Sequence, residues 1–187
     1  MKKNFYLDAT DKAIINQLQL DPSITHSKIA NILGLSQPAI GARIKKLTEK
    51  GLIATQIGVN FQKIPELNLL RVNMKTSRTN DVMELCEYCP FVINAIKSTG
   101  DYNMTIFMAS RNLKHLDAVM DRHFRNKPYV SKIQMDLVTS MAKPIIFPLN
   151  MTMESMVDTD DPCKFNPLCA ADREKANKRS PEELNLE

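Results

Sequence analysis

Four basic side chains fall within eight consecutive residues of this sequence. They are Arg43, Lys45, Lys46 and Lys50, and only Glu49 opposes them. Guanidinium and ammonium groups at this density pair with phosphates or with the edge of guanine. A basic face that is simply solvated remains the alternative, although such faces more often carry mixed charge. The chemistry that this segment favours is recognition of a polyanion.

The basic residues lie on a segment that has helix signals at both ends. Ser36 can act as an N-cap, Pro38 falls in the first turn, where its missing N–H costs least, and Gly51 can close the helix. A spacing of 100° per residue predicts one apolar stripe, formed by Ile40, Ile44 and Leu47. The opposite face is small and basic, as a helix that enters a major groove about 12 Å wide requires.

Two shorter helices are predicted before this one. The nearer begins at Thr25 as N-cap and stops at Gly34, and the first is capped by Asp8, with Asp11 three residues later. Their predicted apolar residues are Ile29, Ile32 and Leu33 in the nearer helix, and Ile14, Ile15 and Leu18 in the first. The segment LIATQIGV, residues 52–59, has the β-branched content of a strand and would form a wing. Residues 1–60 are therefore predicted to form a winged helix-turn-helix domain.

The next part of the sequence alternates between strand and helix periodicity. Strands are predicted at residues 67–76, 91–99 and 103–110, and a last strand carries Ile133, Met135 and Leu137. One helix is capped by Thr79 and ended by Pro90, and a second, over residues 113–126, buries Leu116, Met120 and Phe124. This βαββαβ order is typical of a ferredoxin-like α+β domain, which leaves one sheet face for a partner. We predict this domain at residues 61–148.

Charge is distributed unevenly along the 187 residues. Residues 1–60 carry 8 basic and 4 acidic groups, whereas residues 151–187 carry 5 and 9, so the net charge of +4 understates the basic character of the first domain. Residues 149–187 lack periodicity and are predicted to be an acidic, largely irregular extension. No apolar run approaches the length of a signal peptide or a membrane span, so we expect a cytoplasmic protein without a membrane partner.

Three segments, LDATDKAIINQLQLDPSIT, SKIANILGLS and ARIKKLTEKGLI, resemble the N-terminal domain of the Lrp/AsnC (feast/famine) transcription regulators in order and spacing. The βαββαβ pattern resembles the effector-binding, dimer-forming domain of the same family, so the resemblance covers about residues 7–148. It implies a sequence-specific regulator, not an enzyme, that binds double-stranded DNA as a homodimer or as a tetramer or octamer.

The resemblance also implies roles for individual residues. In the family, the Arg that matches Arg43 and the basic residues after it contact the DNA backbone, and residues matching 36–39 approach base edges. The expected DNA-binding set is Thr25, Ser36, Gln37, Pro38, Ala39, Ala42, Arg43, Lys45 and Lys46. Thr48 departs from the family, in which an acidic residue is usual, so one surface contact of the family is expected to differ here.

An effector site is implied at the hairpin between the second and third strands of the second domain. In the family this hairpin helps to form a pocket for a small molecule, usually an amino acid. The matching residues are Ser98, Thr99, Gly100, Asp101, Tyr102 and Asn103. Asn103 stands where the family commonly has Asp, which could change effector binding. The alternative is that these residues only close a hairpin, since Gly and Asp are ordinary turn residues.

Four cysteines allow one further hypothesis. Cys86 and Cys89 have the spacing of a zinc knuckle, and Cys163 and Cys169 could complete a four-cysteine site. Cys86 and Cys89 also continue an apolar stripe begun by Val82, so burial in the core is the simpler interpretation. No cofactor is otherwise expected.

Two other functions stay open on the sequence alone. Siroheme decarboxylases resemble this two-domain fold, but they would need His and Arg converging on a pocket, and His26, His115 and His123 are isolated in the sequence. A protein-interaction module with a vestigial helix-turn-helix is the other possibility, and failure to bind any DNA at low salt would favour it.

Overall fold

The computed structural model describes residues 6–151 and divides the chain into two compact units. The first, here called the helical unit, extends to Gln56, and the second, the sheet unit, begins at Ile57. This division falls close to the predicted domain boundary after residue 60. Each unit has its own cluster of buried apolar residues.

Three helices form the helical unit: α1 (Ala9–Leu20), α2 (His26–Leu33) and α3 (Gln37–Glu49). Their shared core consists of Ile14, Ile29, Ala30 and Ile40, with Leu18, Ile24, Leu33 and Ile44 packed against it. Leu47 of α3 is also buried. The prediction for Ile32 is wrong, because its side chain is 51% exposed and Ala30 takes the buried position instead.

The predicted wing strand is also wrong over most of its length. Residues 52–58 form no regular element, and only Val59 at its end belongs to a strand, β1 (Val59–Asn60). β1 pairs with β6 (Ile146–Phe147) inside the sheet unit. β-Branched residues favour a strand only where a neighbouring strand accepts their backbone bonds, and residues 52–58 pair with no strand among the described residues.

The sheet unit contains a four-stranded antiparallel sheet with two helices. After β1 and a 3-10 turn come the elements β2 (Asn68–Thr76), α4 (Thr79–Tyr88), β3 (Val92–Lys97), β4 (Met104–Ser110), α5 (Leu113–His123) and β5 (Val130–Leu137). The strand order is β3-β4-β2-β5. The predicted ferredoxin-like arrangement is therefore confirmed. Thr79 is the first helical residue and not the cap, since Arg78 occupies the N-cap position.

Both helices cover one face of this sheet. Alternate residues of the central strands face them, so that Val72 lies opposite Ile106 and Met74 opposite Met104, all fully buried. The predicted helix residues complete this core, namely Val82, Cys86, Leu116, Met120 and Phe124. Leu137, the last residue of the edge strand β5, is 46% exposed.

The other sheet face is half covered by the chain itself. Phe147 of β6 packs edge-on against Phe61 at 6.2 Å between ring centroids and lies 6.0 Å from Phe107 of β4. Leu69 and Ala109 are buried at the same end. The opposite end of this face is more exposed, and we call it the open half-face; its residues are Asn73, Lys75, Ile96, Thr105, Lys132 and Gln134. The described chain itself therefore covers only half of this surface.

None of the helices within residues 6–151 is both long and apolar enough to cross a bilayer. The longest of these helices, α3, has 13 residues.

Candidate nucleic-acid interface

A left-handed glycine makes the turn between α2 and α3. Gly34 has φ 65° and ψ 33°. This left-handed conformation has little steric cost for glycine, because glycine has no Cβ. Its N–H and that of Leu35 both donate to the carbonyl of Ala30, the latter at 3.0 Å. Only Leu35 and Ser36 then separate this cap from α3. The predicted helix-turn-helix connection is present.

The ends of α3 are fixed by different means. At its N-terminus Pro38 lies in the first turn, and Ser36 occupies the N-cap position without a side-chain capping bond. At its C-terminus Gly51 has φ 65°, Gly51 N–H donates to Thr48 O, and Leu52 N–H donates to Leu47 O, both at 2.9 Å. These paired bonds form a Schellman motif, which satisfies the carbonyls of Leu47 and Thr48 in the last turn of α3.

The outward face of α3 carries nearly all of the predicted DNA-binding residues. Exposed side chains on this helix and its N-cap are Ser36, Gln37, Pro38, Ala39, Ala42, Lys45 and Lys46. The Lys45 ammonium lies 3.8 Å from a carboxylate oxygen of Glu49, and both side chains are mostly exposed, so this pair is weak. The face therefore combines small residues near the N-terminus of α3 with cations further along.

Thr25 has a structural role at the start of α2. Its hydroxyl accepts a bond from Lys28 N–H at 3.3 Å, as predicted for an N-cap, and its side chain is exposed. α2 and α3 come close where Gly41 faces His26, since an added Cβ at Gly41 would lie 3.4 Å from the imidazole Nδ1. The small residue at position 41 permits this close approach.

Arg43 differs from the other predicted DNA-binding residues. Its Nη1 donates to Asp8 Oδ2 and to Asp11 Oδ1, both at 2.7 Å. The same two carboxylates form the capping box of α1, in which Asp11 N–H donates to Asp8 Oδ1 at 2.7 Å and Asp8 N–H reaches Asp11 Oδ2 at 3.4 Å. Arg43 is 37% exposed, while Asp11 is only 11% exposed. One guanidinium thus joins α3 to the first turn of α1.

The electrostatics of this cluster favour its charged forms. The bond from the Asp11 backbone N–H, followed by that from Arg43, lowers the pKa of Asp8 below its ordinary value of 3.8. Bonds to Asp8 and then to Asp11 raise the pKa of Arg43 above its ordinary value. Both shifts favour the ionised forms of Asp8 and Arg43 near neutral pH.

The sequence predicted the capping box and the basic helix but not the link between them. Asp8 and Asp11 are separated from Arg43 by 35 and 32 positions, and no local pattern connects them. The only available signal was two acids at the start of one helix and an Arg on the flank of another.

The predicted effector hairpin is held together by its own contacts. Ser98 N–H donates to Asn103 O at 3.0 Å, and the Ser98 hydroxyl donates to Tyr102 O. Gly100 has φ 113°, while Thr99 and Asp101 are exposed. Two cations of the open half-face lie beside it. Lys75 Nζ donates to Gly100 O at 3.1 Å, and Lys132 Nζ lies 4.6 Å from the Tyr102 ring centroid.

Asn103 has a role that an Asp could not perform. Its Oδ1 accepts from Thr76 N–H at 2.9 Å, and its Nδ2 donates to Thr76 O at 2.7 Å. This two-sided bond ties the start of β4 to the end of β2. A carboxylate can accept the first bond but has no proton for the second. Asn103 therefore makes a pair of bonds with Thr76 that the family's usual Asp could not make.

Cys86 and Cys89 are buried, as the core interpretation predicted. Burial, with a smaller contribution from Cys89, raises the pKa of the Cys86 thiol to about 12, so the thiolate that binds zinc is disfavoured at neutral pH. Cys163 and Cys169 lie outside the described residues. Within residues 6–151, no three His, Cys, Asp or Glu side chains are placed to hold a metal ion.

The histidines belong to different surroundings. His26 is exposed on α2 of the helical unit, and His115 is buried in the sheet unit, 5.9 Å from the Phe91 ring. His123 lies at the end of α5 beside Phe124.

Comparison with known proteins identifies the fold and its family. A family model described as winged helix-turn-helix DNA-binding matches residues 7–54. The transcriptional regulator FL11 of Pyrococcus furiosus is 30% identical over 118 residues, which are 62% of this chain and 78% of FL11. The chain belongs to the Lrp/AsnC family of transcription regulators.

Solved structures show that this regulator shares its fold with other members. AsnC of E. coli matches with a TM-score of 0.64 at 17% identity and covers 74% of this chain and 96% of its own. The complex of NMB0573 with L-Met from Neisseria meningitidis matches with a TM-score of 0.63 at 18% identity, over 78% of this chain and 98% of its own. The regulator is thus a helix-turn-helix DNA-binding protein whose second unit has the fold of the family.

Proposed function

We propose that this regulator binds specific double-stranded DNA sites by placing the N-terminal half of α3 in the major groove. The observation that carries the proposal is the exposed face of α3, small near its N-terminus and basic beyond it. In this proposal residues 36–39 approach base edges, and Ala42 leaves space for the backbone of the helix to come close. Lys45 and Lys46 pair with phosphates, and Thr25 places the N-terminus of α2 near the DNA backbone.

The proposal includes a homodimer, and further assembly to a tetramer or octamer would repeat the same subunit. Support comes from the open half-face, where Ile96 of the edge strand is 47% exposed. A two-fold dimer presents two copies of α3, so its operator is an inverted repeat with half-sites about 34 Å, one helical turn, or a multiple apart.

An amino-acid-like effector is part of the proposal. The hairpin at residues 98–103 offers backbone groups, and the neighbouring Lys75 and Lys132 can pair with a carboxylate. One structural neighbour is a complex with L-Met, which supports an amino acid as the first class of compound to test. We expect one proteinogenic amino acid to raise the thermal midpoint of the full chain and to alter its footprint. We expect Lys75→Ala to lose that response, and a wild-type chain that responds to no amino acid would contradict this part.

We further propose that the protein acts at DNA in the cytoplasm and does not catalyse a reaction. This is supported by relatives named as transcription regulators, FL11 among them.

The direct test is selection of bound genomic fragments with the purified full chain at physiological salt, followed by footprinting. We expect a recurring inverted repeat with half-sites about one turn apart. Gln37→Ala should change the DNA sequence that the protein prefers, whereas Lys45→Ala should weaken binding to all DNA sequences to a similar extent. Absence of any enriched site, together with no binding to DNA at low salt, would contradict the proposal.

A further inference from the structure

The family resemblance assigns Arg43 to the DNA backbone, but its guanidinium is already engaged within the helical unit. Nη1 lies 2.7 Å from an oxygen of Asp8 and 2.7 Å from an oxygen of Asp11. Bonds between a guanidinium and a carboxylate are charge-assisted and stronger than neutral ones. Asp11 is nearly buried, so solvent screens its bond with Arg43 less than it screens a surface pair.

The charge of the cluster also disfavours a phosphate. Asp8 and Asp11 carry two negative charges and Arg43 one positive charge, so the three groups together are net negative. A phosphate that approached Arg43 would meet these two carboxylates within hydrogen-bonding distance of the same nitrogen. At Lys45, by comparison, one acid lies near the ammonium, Glu49 at 3.8 Å, and both side chains are mostly exposed.

We infer that Arg43 is a positioning residue, which sets the orientation of α3 by bonding to the capping box of α1, and that Asp8 and Asp11 are its partners in this role. This inference rests on the proposed DNA interface and assigns its phosphate contacts to Lys45 and Lys46. The DNA-facing helix is then held against α1 by charge as well as by the apolar contacts of Ile40 and Ile14.

The direction in which one double substitution changes DNA affinity distinguishes a positioning role of Arg43 from a phosphate contact. Changing both acids to Asn removes negative charge near the interface and releases Arg43. If Arg43 contacted phosphate, the Asp8→Asn/Asp11→Asn variant would bind DNA more tightly. If Arg43 positions α3, the same variant binds more weakly, by about twofold or more, which is the lower end of coupling between contacting residues.

The experiment measures the affinity of the full chain for one fluorescent duplex between about 50 and 200 mM salt. Arg43→Ala is expected to weaken binding while keeping the wild-type slope of log K against log salt. Lys45→Ala, on the same helix, should lower that slope by about 0.9, the value for one lost phosphate contact. Glu49→Gln is the matched acid control, since it removes a negative charge from α3 without touching Arg43, and we expect equal or tighter binding.

Two results would overturn the inference while leaving the proposed function intact. One is a fall in slope for Arg43→Ala as large as that for Lys45→Ala. The other is binding by Asp8→Asn/Asp11→Asn that is as tight as wild type or tighter. Failure of the wild-type chain to bind any duplex at low salt would instead contradict the proposed function.

Thermal unfolding without DNA tests the link independently. We expect Arg43→Ala and Asp8→Asn/Asp11→Asn each to lower the unfolding midpoint of the helical unit. The variant that combines all three substitutions should lower this midpoint by less than the sum of the two separate decreases. Additive losses would overturn the link. Asp8→Asn alone serves as the milder variant if the double one does not fold, because Asp8 is the more exposed of the two acids.

Discussion

Single side chains in this regulator make structural bonds that their positions in the sequence do not reveal. Asn103 and Arg43 both lie where the family resemblance implies contact with a ligand or with DNA. In the structure each bonds to another part of its own unit, Asn103 to Thr76 and Arg43 to the start of α1. Polar residues at a predicted site can therefore shape the site without touching its ligand.

We predict that Asn103→Asp destabilises the sheet unit. The carboxylate would lose the bond to Thr76 O and would place a negative charge against that carbonyl, at a cost of about 1–3 kcal/mol. Thermal or urea unfolding measures this loss. Asn94→Asp is the matched control, because the Asn94 side chain only accepts, from Ala95 N–H at 2.8 Å, and a carboxylate keeps that bond. Equal stability of the two variants would contradict the role given to Asn103.

Acid should weaken the helical unit through Asp8. Its pKa is lowered in the folded chain, first by the Asp11 N–H and then by Arg43, so its contribution to stability is present above its unfolded pKa of about 4. That contribution is lost as the pH falls through the lower, folded pKa. We expect the midpoint temperature of thermal unfolding to decrease when the pH is lowered below about 4, and we expect a smaller decrease for Asp8→Asn. An identical pH profile for both proteins would remove Asp8 from this role.

At the scale of elements, the pairing of β1 with β6 depends on a close approach at Gly58. A Cβ built on Gly58 would lie 2.6 Å from both the carbonyl carbon and oxygen of Phe147. These are backbone atoms, which cannot move aside as a flexible side chain can. The same strand pair places Phe147 against Phe61 and Phe107, so it fixes the cover on the half of this sheet face that lies opposite the open half-face.

We predict that Gly58→Ala separates β1 from β6. Amide hydrogen exchange at Val59 and Phe147 should then become faster, and the thermal midpoint of the sheet unit should fall. Ile57→Ala is the adjacent control, since Ile57 is 93% exposed and its truncation removes little packing. Unchanged exchange in Gly58→Ala would show that the strands can part slightly without loss.

For the whole molecule, the open half-face is the surface on which the proposed dimer depends. Ile96 lies on it at an edge strand and is 47% exposed. Leu113, which is 45% exposed, belongs instead to the helix-covered side of the sheet. Two apolar residues of similar exposure thus lie on different surfaces of one unit.

Ile96→Glu should weaken self-association, because a buried carboxylate without a partner is costly at an interface. Light scattering over a range of concentrations measures the change, and we expect the variant to become monomeric at concentrations where wild type is dimeric. Leu113→Glu is the control and should leave the dimer intact. A dimer that survives Ile96→Glu but not Leu113→Glu would move the interface to the helix-covered side.

Local patterns in the sequence were sufficient for the helix-turn-helix and for the βαββαβ order. Caps such as Thr25 and Gly34, and the apolar period of α3 and α5, act between residues a few positions apart, so the sequence by itself determined these elements and the fold class. The same local reasoning failed for residues 52–58 and for Ile32, since strand formation and burial depend on what lies opposite.

Only the tertiary structure decided which side chains meet across long separations. The bonds of Arg43 with Asp8 and Asp11, the amide pairing of Asn103, and the strand pair at Gly58 join positions from 27 to 89 residues apart. No periodicity or spacing records such contacts, because they arise when packed elements bring distant parts of the chain together. The sequence determined that the basic helix exists, and the tertiary structure decided that one of its cations, Arg43, bonds to Asp8 and Asp11.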